Sequence, residues 1–237
     1  MFERLGRSRN PIPLIPLSVL QGSSPRANPK RIRFAGRGKE MQVYSPEEFE
    51  RVTGVGYTGE LVFAGERTYQ DVSKDCAAAM RIGRITPEMK WLGAYHAVKL
   101  RNQWVANVSI RWIDEAIGHG LFAEQEIEEG ELIGEYTGIV RRRNVLIGRN
   151  RNEYCFSYPT SDFSFKKHMI DAKPNSNELR YINDSDDPNC EGLCVWLDDL
   201  LRVIIRSIQR IPKGDQITYN YSLNFWKSRP LEPKRKD

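Results

Sequence analysis

Two short stretches near the end of the chain contain side chains whose types and spacing could serve chemistry. Residues 178–190 predict a short strand, within 178–183, that ends in a polar loop rich in amides and carboxylates, and residues 217–221 carry Tyr219 and Tyr221 two positions apart. Residues two apart on a strand share a face, so both phenol side chains are expected on the same face of the predicted strand. A lone pair of this kind more often reflects strand propensity and core packing, so it needs support from its surroundings.

The four cysteines do not indicate metal chemistry. Cys76, Cys155, Cys190 and Cys194 show no CxxC spacing, and a four-ligand zinc site would need more partners at regular intervals. Cys190 and Cys194 could face each other across a hairpin or lie one helix turn apart. We expect all four to be reduced and structural, and we expect no metal site.

The elements that must position the two stretches are mostly short strands after residue 104. Residues 108–112 alternate as a strand does, and Gly118, His119 and Gly120 predict a tight turn. Further strands are expected at residues 121–123, 131–140, 154–158, 168–172, 193–196, 201–207 and 216–221. Many short strands separated by turns predict a mostly β fold.

The first hundred residues have a different character. Residues 8–40 combine five prolines with Gly, Ser, Asn and Arg and show no sustained period, which predicts a flexible arm. Ser45, Pro46 and Glu48 have the spacing of a helix start with a capping box. Helices are expected at residues 45–52, 74–82 and 87–102, and they predict an N-terminal helical subdomain and an α+β organisation overall.

The net charge of +5 is unevenly distributed along the 237 residues. Residues 1–40 hold nine basic and two acidic side chains, or +7, which leaves about −2 for the rest. The basic arm could contact nucleic acid weakly or simply be solvated, while the remainder could accept a basic peptide. No apolar run approaches the roughly 18 residues of a membrane span. We expect an intracellular protein without a membrane segment, although the Arg-rich start leaves an organelle transit peptide open.

Six motifs in a fixed order support a functional interpretation of residues 178–190 and 217–221. They lie at residues 118–123, 134–138, 154–156, 170–172, 177–183 and 217–221. Over roughly residues 107–226 this series resembles the SET domain of protein lysine methyltransferases. The resemblance implies several short curved sheets and a C-terminal strand that threads a loop near Asn183, a pseudoknot that departs from the usual unthreaded topology.

The resemblance also divides the chain and implies a reaction. It predicts a basic arm at residues 1–40, a partly helical region at 41–105, a SET domain at 106–222 and a short closure at 223–237. It implies S-adenosylmethionine on one face and a substrate lysine entering from the other. Methyl transfer between them is an in-line displacement that needs alignment more than a nucleophile or a metal, and alignment can supply about 7 to 11 kcal/mol.

The family's active-site residues carry over onto matching positions of this chain. Tyr221 corresponds to the tyrosine that orients the amine, and Tyr136 corresponds to a second channel tyrosine. Tyr219 stands where the family has Phe or Tyr, and its hydroxyl could hold a water that leaves less room for added methyl groups. The resemblance therefore implies mainly monomethylation.

The expected cofactor site is larger. Asn183 and the backbone of Asp184 match the family's adenosine-contacting pair, while a residue such as Trp226 can cover an adenine by stacking. The full set implied by the resemblance is Gly118, His119, Gly120, Tyr154, Arg180, Asn183, Asp184 and Trp226.

Two positions depart from the family pattern. Asp184 replaces the His that usually follows the key Asn, which leaves a side-chain role there in doubt. Asp186 replaces a frequent Cys, and no Cys-rich segment follows Tyr221. The two absences agree with each other and predict a zinc-free closure near Phe225 and Trp226.

The implied substrates are histones or histone-like basic proteins, and the basic arm could hold the enzyme near chromatin. The family includes small proteins of intracellular bacteria, so the implied location is a nucleus, chromatin or a bacterial nucleoid. The alternative is a SET-like module that binds basic peptides or chromatin without catalysis. Replacement of His by Asp184 favours that alternative, whereas retention of Tyr136, Tyr221 and Asn183 favours the enzyme.

Overall fold

The computed structural model describes residues 12–23, 30–143, 154–162 and 167–221, and within these ranges the strands form three sheets. The strands are β1 Leu14–Pro16, β2 Ile32–Ala35, β3 Gln42–Tyr44, β4 Gly56–Tyr57, β5 Val62–Ala64, β6 Val108–Asp114, β7 Gly118–Ala123, β8 Leu132–Glu135, β9 Ile139–Arg142, β10 Cys155–Ser157, β11 His168–Asp171, β12 Asn175–Ser176, β13 Asn183–Asp184, β14 Cys190–Leu197, β15 Leu200–Ser207 and β16 Gln216–Tyr219. The helices are α1 Leu17–Leu20, α2 Pro46–Thr53, α3 Glu66–Arg81 and α4 Pro87–Arg101, with 3₁₀ helices at Pro159–Asp162 and Glu178–Tyr181. The predicted fold, mostly β in several sheets with helices toward the N-terminus, is confirmed.

The largest sheet carries the candidate site. Its strands follow the order β3-β2-β6-β7-β16-β14-β15-β8, and β13 pairs with β16 outside this path. Strand β16 is antiparallel to β7 and parallel to both β13 and β14. The strand nearest the C-terminus therefore lies between strands from earlier in the chain, as the expected threading requires. The threading itself stays a prediction.

The N-terminal segments are paired with the rest of the molecule. Strand β2 runs parallel to β6, and β4 runs parallel to β12. In the second sheet, of order β1-β5-β9-β11-β10, strand β5 runs parallel to β9. The helical region predicted at residues 41–105 does contain α2, α3 and α4, but its short strands also pair with strands from later in the chain.

The flexible arm predicted at residues 1–40 is wrong for the parts that the structure describes. Leu17, Ile32 and Phe34 belong to the main hydrophobic core, and Ile32 is fully buried. Burying several large apolar side chains offsets the conformational entropy of ordering the segment. Residues 1–11 and 24–29 of the predicted arm lie outside the described residues, and its nucleic-acid contact stays a prediction.

The start of α2 follows from its sequence. Ser45 Oγ accepts a hydrogen bond from the Glu48 backbone N–H at 3.3 Å, and the Ser45 N–H donates to Glu48 Oε2 at 2.8 Å. This capping box satisfies two donors that a helix start leaves unpaired. Gly54 ends the helix with φ 71°, a left-handed conformation that favours glycine.

Two local predictions near the site are wrong. The turn expected at residues 118–120 lies at 115–117 instead, because Asp114 Oδ1 accepts from the N–H groups of Ala116 and Ile117, each at 2.7 Å. Residues 118–120 belong to strand β7. The strand expected within residues 178–183 is a 3₁₀ helix, which the Asn177 side chain caps by accepting from the Leu179 N–H.

Candidate active site

The pairing of β13 with β16 joins the two stretches that opened the sequence analysis. Asn183 lies opposite Thr218, and Asp184 lies opposite Tyr219. The Asp184 side chain also accepts a hydrogen bond from the Tyr221 N–H, at 2.6 Å. Residues about 37 positions apart thus form one site.

The tyrosine side of the site is formed by Tyr136, Tyr219 and Tyr221. The rings of Tyr219 and Tyr221 lie 4.7 Å apart between centroids, tilted by 44°. The Tyr221 hydroxyl donates to the Ile182 carbonyl at 2.6 Å, which turns the ring back toward the residues before β13. A hydroxyl that donates to a carbonyl still presents lone pairs that can accept from a bound amine.

Tyr136 completes this side from the end of β8. Its side chain is 5% exposed, and its hydroxyl donates to the Tyr154 carbonyl at 3.0 Å. Burial, followed by the nearby Tyr219 and Tyr221, raises the pKa of Tyr136 well above its ordinary value. Burial, followed by Tyr221 and Asp184, likewise raises the pKa of Tyr219. Both phenols are therefore neutral hydrogen-bonding groups near pH 7.

A second side of the candidate site begins at strand β7. Gly118 has φ 81°, which favours glycine, and Gly120 lies close to side chains from β16 and β13. A Cβ added at Gly120 would lie 2.8 Å from Gln216 Nε2 and 3.2 Å from Asn183 Nδ2. The absence of a side chain there lets Asn183 Nδ2 donate to the His119 carbonyl at 3.2 Å.

Arg180 places a buried cation beside this strand. Its guanidinium lies over the Tyr154 ring at 4.1 Å from the centroid, and Nη1 donates to the Lys173 carbonyl at 3.0 Å. The residue is 8% exposed, yet its Nε has no hydrogen-bond partner among the described residues. Arginine presents five donors in a rigid plane, which suits it to bind a carboxylate.

His119 is the second polar group of this side with an unpartnered atom. Its ring stacks on Phe34 at 4.9 Å and makes edge contacts with Trp112 and Tyr181. Its Nε2 is buried without a hydrogen-bond partner in the described part of the chain. Burial, followed by the positive charge of Arg180, lowers the pKa of His119, which favours a neutral imidazole.

Sequence reasoning missed the support that the N-terminal residues give to this side. Glu178, at the start of the 3₁₀ helix, accepts from the Tyr57 hydroxyl at 2.9 Å and pairs with Lys30 at 3.2 Å. Phe34 supplies the stacking surface for His119. The alternation of residues 32–35 was an available strand signal, but no local pattern points from these residues to positions 119 and 178.

The structure brings together ten of the eleven residues predicted for the site. The tyrosine side holds Tyr136, Tyr219 and Tyr221, and the other side holds Gly118, His119, Gly120, Tyr154, Arg180, Asn183 and Asp184. Trp226 and the closure predicted at residues 223–237 lie outside the described residues. The functional role of each residue stays a prediction.

Within the described residues, a metal site and a cavity away from the predicted site residues are the other places to consider. No group of three or more His, Cys, Asp and Glu side chains there could hold a metal ion. A cavity of about 760 Å³ is lined by Glu60, Gln103 and Arg202, and by the ion pair of Arg101 with Asp198, but by none of the predicted site residues. The order of the motifs favours the residues around Arg180, which we take as the candidate site. Unpartnered buried atoms do not separate the two places, because Arg202 Nε beside the cavity also has no partner in the described part of the chain. No described helix is both long and apolar enough to cross a lipid bilayer.

Comparison with known proteins identifies a family whose model matches the region that contains the paired tyrosines and the glycines of β7. Residues 118–222 match the family model of the SET domain. This part of the chain is a SET domain, as the ordered motifs predicted. The matched residues include all of the predicted site except Trp226.

The relatives are histone-lysine methyltransferases by name. The human histone-lysine N-methyltransferase 2D is 34% identical over 134 residues, which are 54% of this chain and 2% of that protein. The trr protein of Drosophila melanogaster is 24% identical over 230 residues, 94% of this chain and 8% of that protein. EZH2 of Chaetomium thermophilum is 32% identical over 122 residues, 47% of this chain and 8% of that protein. The chain thus spans less than a tenth of these relatives.

A likeness to a solved structure is weaker. The polycomb repressive complex 2 of Chaetomium thermophilum matches with 26% identity and a TM-score of 0.46, covering 58% of this chain and 19% of the other.

Proposed function

We propose that this chain is an S-adenosylmethionine-dependent protein lysine N-methyltransferase that acts on histones or histone-like basic proteins and mainly adds one methyl group. The observation that carries the proposal is the pairing of β13 with β16. It places Asn183, which is bound to the His119 carbonyl, beside the strand that ends at Tyr219 and leads into Tyr221. One side can therefore hold a cofactor while the other holds an amine.

The residues on the side that begins at β7 fit the cofactor. S-adenosylmethionine supplies an activated methyl group on a sulfonium together with a carboxylate, an amine and an adenosine. Arg180, with its unpartnered Nε, would bind the carboxylate, and the half-buried His119 leaves a neutral Nε2 for a further hydrogen bond. Asn183 and the backbone of Asp184 would hold the adenosine. Two buried polar atoms that would otherwise cost free energy become satisfied when such a ligand binds.

The residues of the tyrosine side would prepare the lysine. An ammonium cannot attack, and removing its proton at pH 7 from a pKa of about 10.4 costs roughly 4.6 kcal/mol at 1.36 kcal/mol per unit. The buried ring of Tyr136 and the partly buried ring of Tyr219 reduce solvation of a charged amine, which lowers that cost. The Tyr136 and Tyr221 hydroxyls, each fixed by donation to a backbone carbonyl, can then accept from the amine and hold it in line.

The substrate class and location rest on charge and on relatives. Residues 41–237 carry a net charge near −2, which is compatible with a Lys-rich peptide. The relatives are named for histone lysine, so chromatin or a nucleoid is the proposed location. The competing proposal is a SET-like module that binds basic peptides without catalysis, and replacement of the family's His by Asp184 is the feature that favours it.

Incubation with methyl-labelled S-adenosylmethionine and a panel of histones, histone-like proteins and ribosomal proteins tests the proposal. The wild type should label at least one basic protein on lysine, and Tyr221→Phe should label it at least about 100-fold more slowly, because it lacks the hydroxyl that aligns the amine. Equal labelling by both proteins would contradict the proposed site. Absence of labelling together with undetectable cofactor binding would favour the non-catalytic module.

A further inference from the structure

The backbone around Tyr221 is held by an unusual combination of contacts. Strand β16 ends at Tyr219, whose carbonyl accepts from the Ser185 N–H at 3.3 Å, and β13 contains only Asn183 and Asp184. Tyr221 therefore lies two residues beyond the last residue of the strand. Its N–H donates to Asp184 Oδ1 at 2.6 Å, where a side chain takes the place of a backbone acceptor.

This contact is short and charge-assisted, which makes it stronger than a hydrogen bond between neutral groups. A second bond, from the Tyr221 hydroxyl to the Ile182 carbonyl at 2.6 Å, anchors the other end of the residue to the same segment. The amide and the hydroxyl of Tyr221 are thus both fixed by residues 182–184. Releasing the amide would remove one of these two bonds and would let the ring shift.

We propose that Asp184 is a positioning residue for methyl transfer, whose carboxylate fixes the Tyr221 backbone and thereby the direction of the Tyr221 hydroxyl. The proposal rests on the function proposed above and adds a side-chain role to a residue whose backbone was assigned to the cofactor. It also accounts for the departure from the family, because the acid that replaces His has a structural partner in the backbone of Tyr221.

The geometry requires an acceptor oxygen at this position, and the negative charge of the carboxylate strengthens the bond. Asp184→Asn keeps an oxygen acceptor and removes the charge, whereas Asp184→Ala removes both. Because a displacement of about 1 Å can cost on the order of 100-fold in rate, we expect kcat to fall about 10- to 100-fold in Asp184→Ala. In Asp184→Asn, whose neutral oxygen still accepts but forms a weaker bond, we expect a smaller fall in kcat, of about three-fold. The cofactor Kd and the KM for a histone peptide should change by less than about three-fold in either variant.

The matched control is Asp186→Asn, which removes one charge from an exposed position of the same loop. It should keep kcat within about two-fold. Thermal unfolding of each variant shows whether the fold is intact. If Asp184→Ala does not fold, Asp184→Glu, which moves the acceptor by one methylene, should lower kcat about 10-fold.

The backbone amide of Tyr221 gives a readout that does not depend on activity. In a ¹⁵N-labelled protein, its proton resonance should move upfield and its hydrogen exchange should accelerate in Asp184→Ala, and both should change less in Asp184→Asn. If the wild type transfers no methyl group and these amide changes occur, the proposed function fails while the positioning contact stands. An unchanged kcat in Asp184→Ala, an equal loss in Asp184→Asn, or an unchanged Tyr221 amide would overturn the proposal.

Discussion

The two sides of the candidate site differ in how completely the protein satisfies their polar groups. On the tyrosine side, the hydroxyls of Tyr136 and Tyr221 donate to the backbone carbonyls of Tyr154 and Ile182. On the cofactor side, Arg180 Nε and His119 Nε2 are buried without partners in the ranges that the structure describes. A buried unsatisfied donor or acceptor costs about 1 to 3 kcal/mol. Under the proposed function, the tyrosine side is therefore already arranged for the lysine, whereas the unpartnered atoms of the other side would be satisfied by the cofactor.

The largest expected change in cofactor affinity that would sharpen this comparison is at Arg180. Arg180→Ala should weaken the binding of S-adenosylhomocysteine at least about 30-fold by isothermal titration calorimetry, because a desolvated charged partner of the carboxylate is lost. Arg180→Lys keeps the charge but loses the flat contact with Tyr154, so an intermediate affinity is expected.

Tyr221→Phe is the matched control for that measurement, since it changes only the other side and should bind within about two-fold of the wild type. Wild-type affinity in Arg180→Ala would contradict the assignment of Arg180 to the cofactor.

A smaller effect is expected at Tyr219, where the change concerns product rather than rate. Tyr219→Phe removes a hydroxyl that limits space near the amine, so dimethyl and trimethyl products should increase while total turnover stays within about three-fold. Mass spectrometry of a lysine peptide measures this distribution. Tyr95→Phe, on the exposed face of α4, is the control and should leave it unchanged. An unaltered product pattern in Tyr219→Phe would contradict the role of its hydroxyl.

The smallest expected effect is a shift in the titration of the tyrosines, which tests how well water is excluded from the tyrosine side. Burial raises the pKa of five tyrosines, which are Tyr57, Tyr136, Tyr158, Tyr181 and Tyr219. The pKa of Tyr181 rises to about 12. The unfolded chain releases these protons from about pH 10, whereas the folded chain holds them. Their contribution to the free energy of unfolding is thus fully present below pH 10 and falls as the pH rises above it.

Absorbance at 295 nm measures this difference. No more than about half of the ten tyrosines should ionise reversibly near pH 10, with the rest ionising at higher pH or on unfolding. If all ten ionised together near pH 10, the site would be open to water and the comparison between its two sides would fail.

The sequence predicted the tyrosine side better than the cofactor side for a physical reason. Ordered motifs and the alternation of residues 216–221 are local signals, and the structure places them together as expected. The stacking of Phe34 on His119 and the ion pair of Lys30 with Glu178 join residues more than 80 positions apart. Long-range contacts of this kind leave no local period, and the proline- and arginine-rich composition of residues 8–40 concealed the short strand β2.

The same limit explains the local errors. The glycines at 118 and 120 were interpreted as a turn, but Asp114 forms the turn by accepting two backbone N–H groups, and the glycines serve close approach within β7. Residues 178–181 were interpreted as a strand because they are apolar in part. A side-chain cap from Asn177 and the buried partners of Glu178 favour the 3₁₀ helix instead.

The most direct test of the account combines cofactor affinity with single-turnover methyl transfer for Arg180→Ala and Tyr221→Phe. We expect Tyr221→Phe to bind S-adenosylmethionine as the wild type does but to transfer its methyl group at least about 100-fold more slowly at any cofactor concentration. We expect Arg180→Ala to bind weakly and to recover most of the wild-type rate when the cofactor is saturating. Parallel loss of affinity and transfer in both variants, with no recovery at saturation, would contradict a site built from two separate sides.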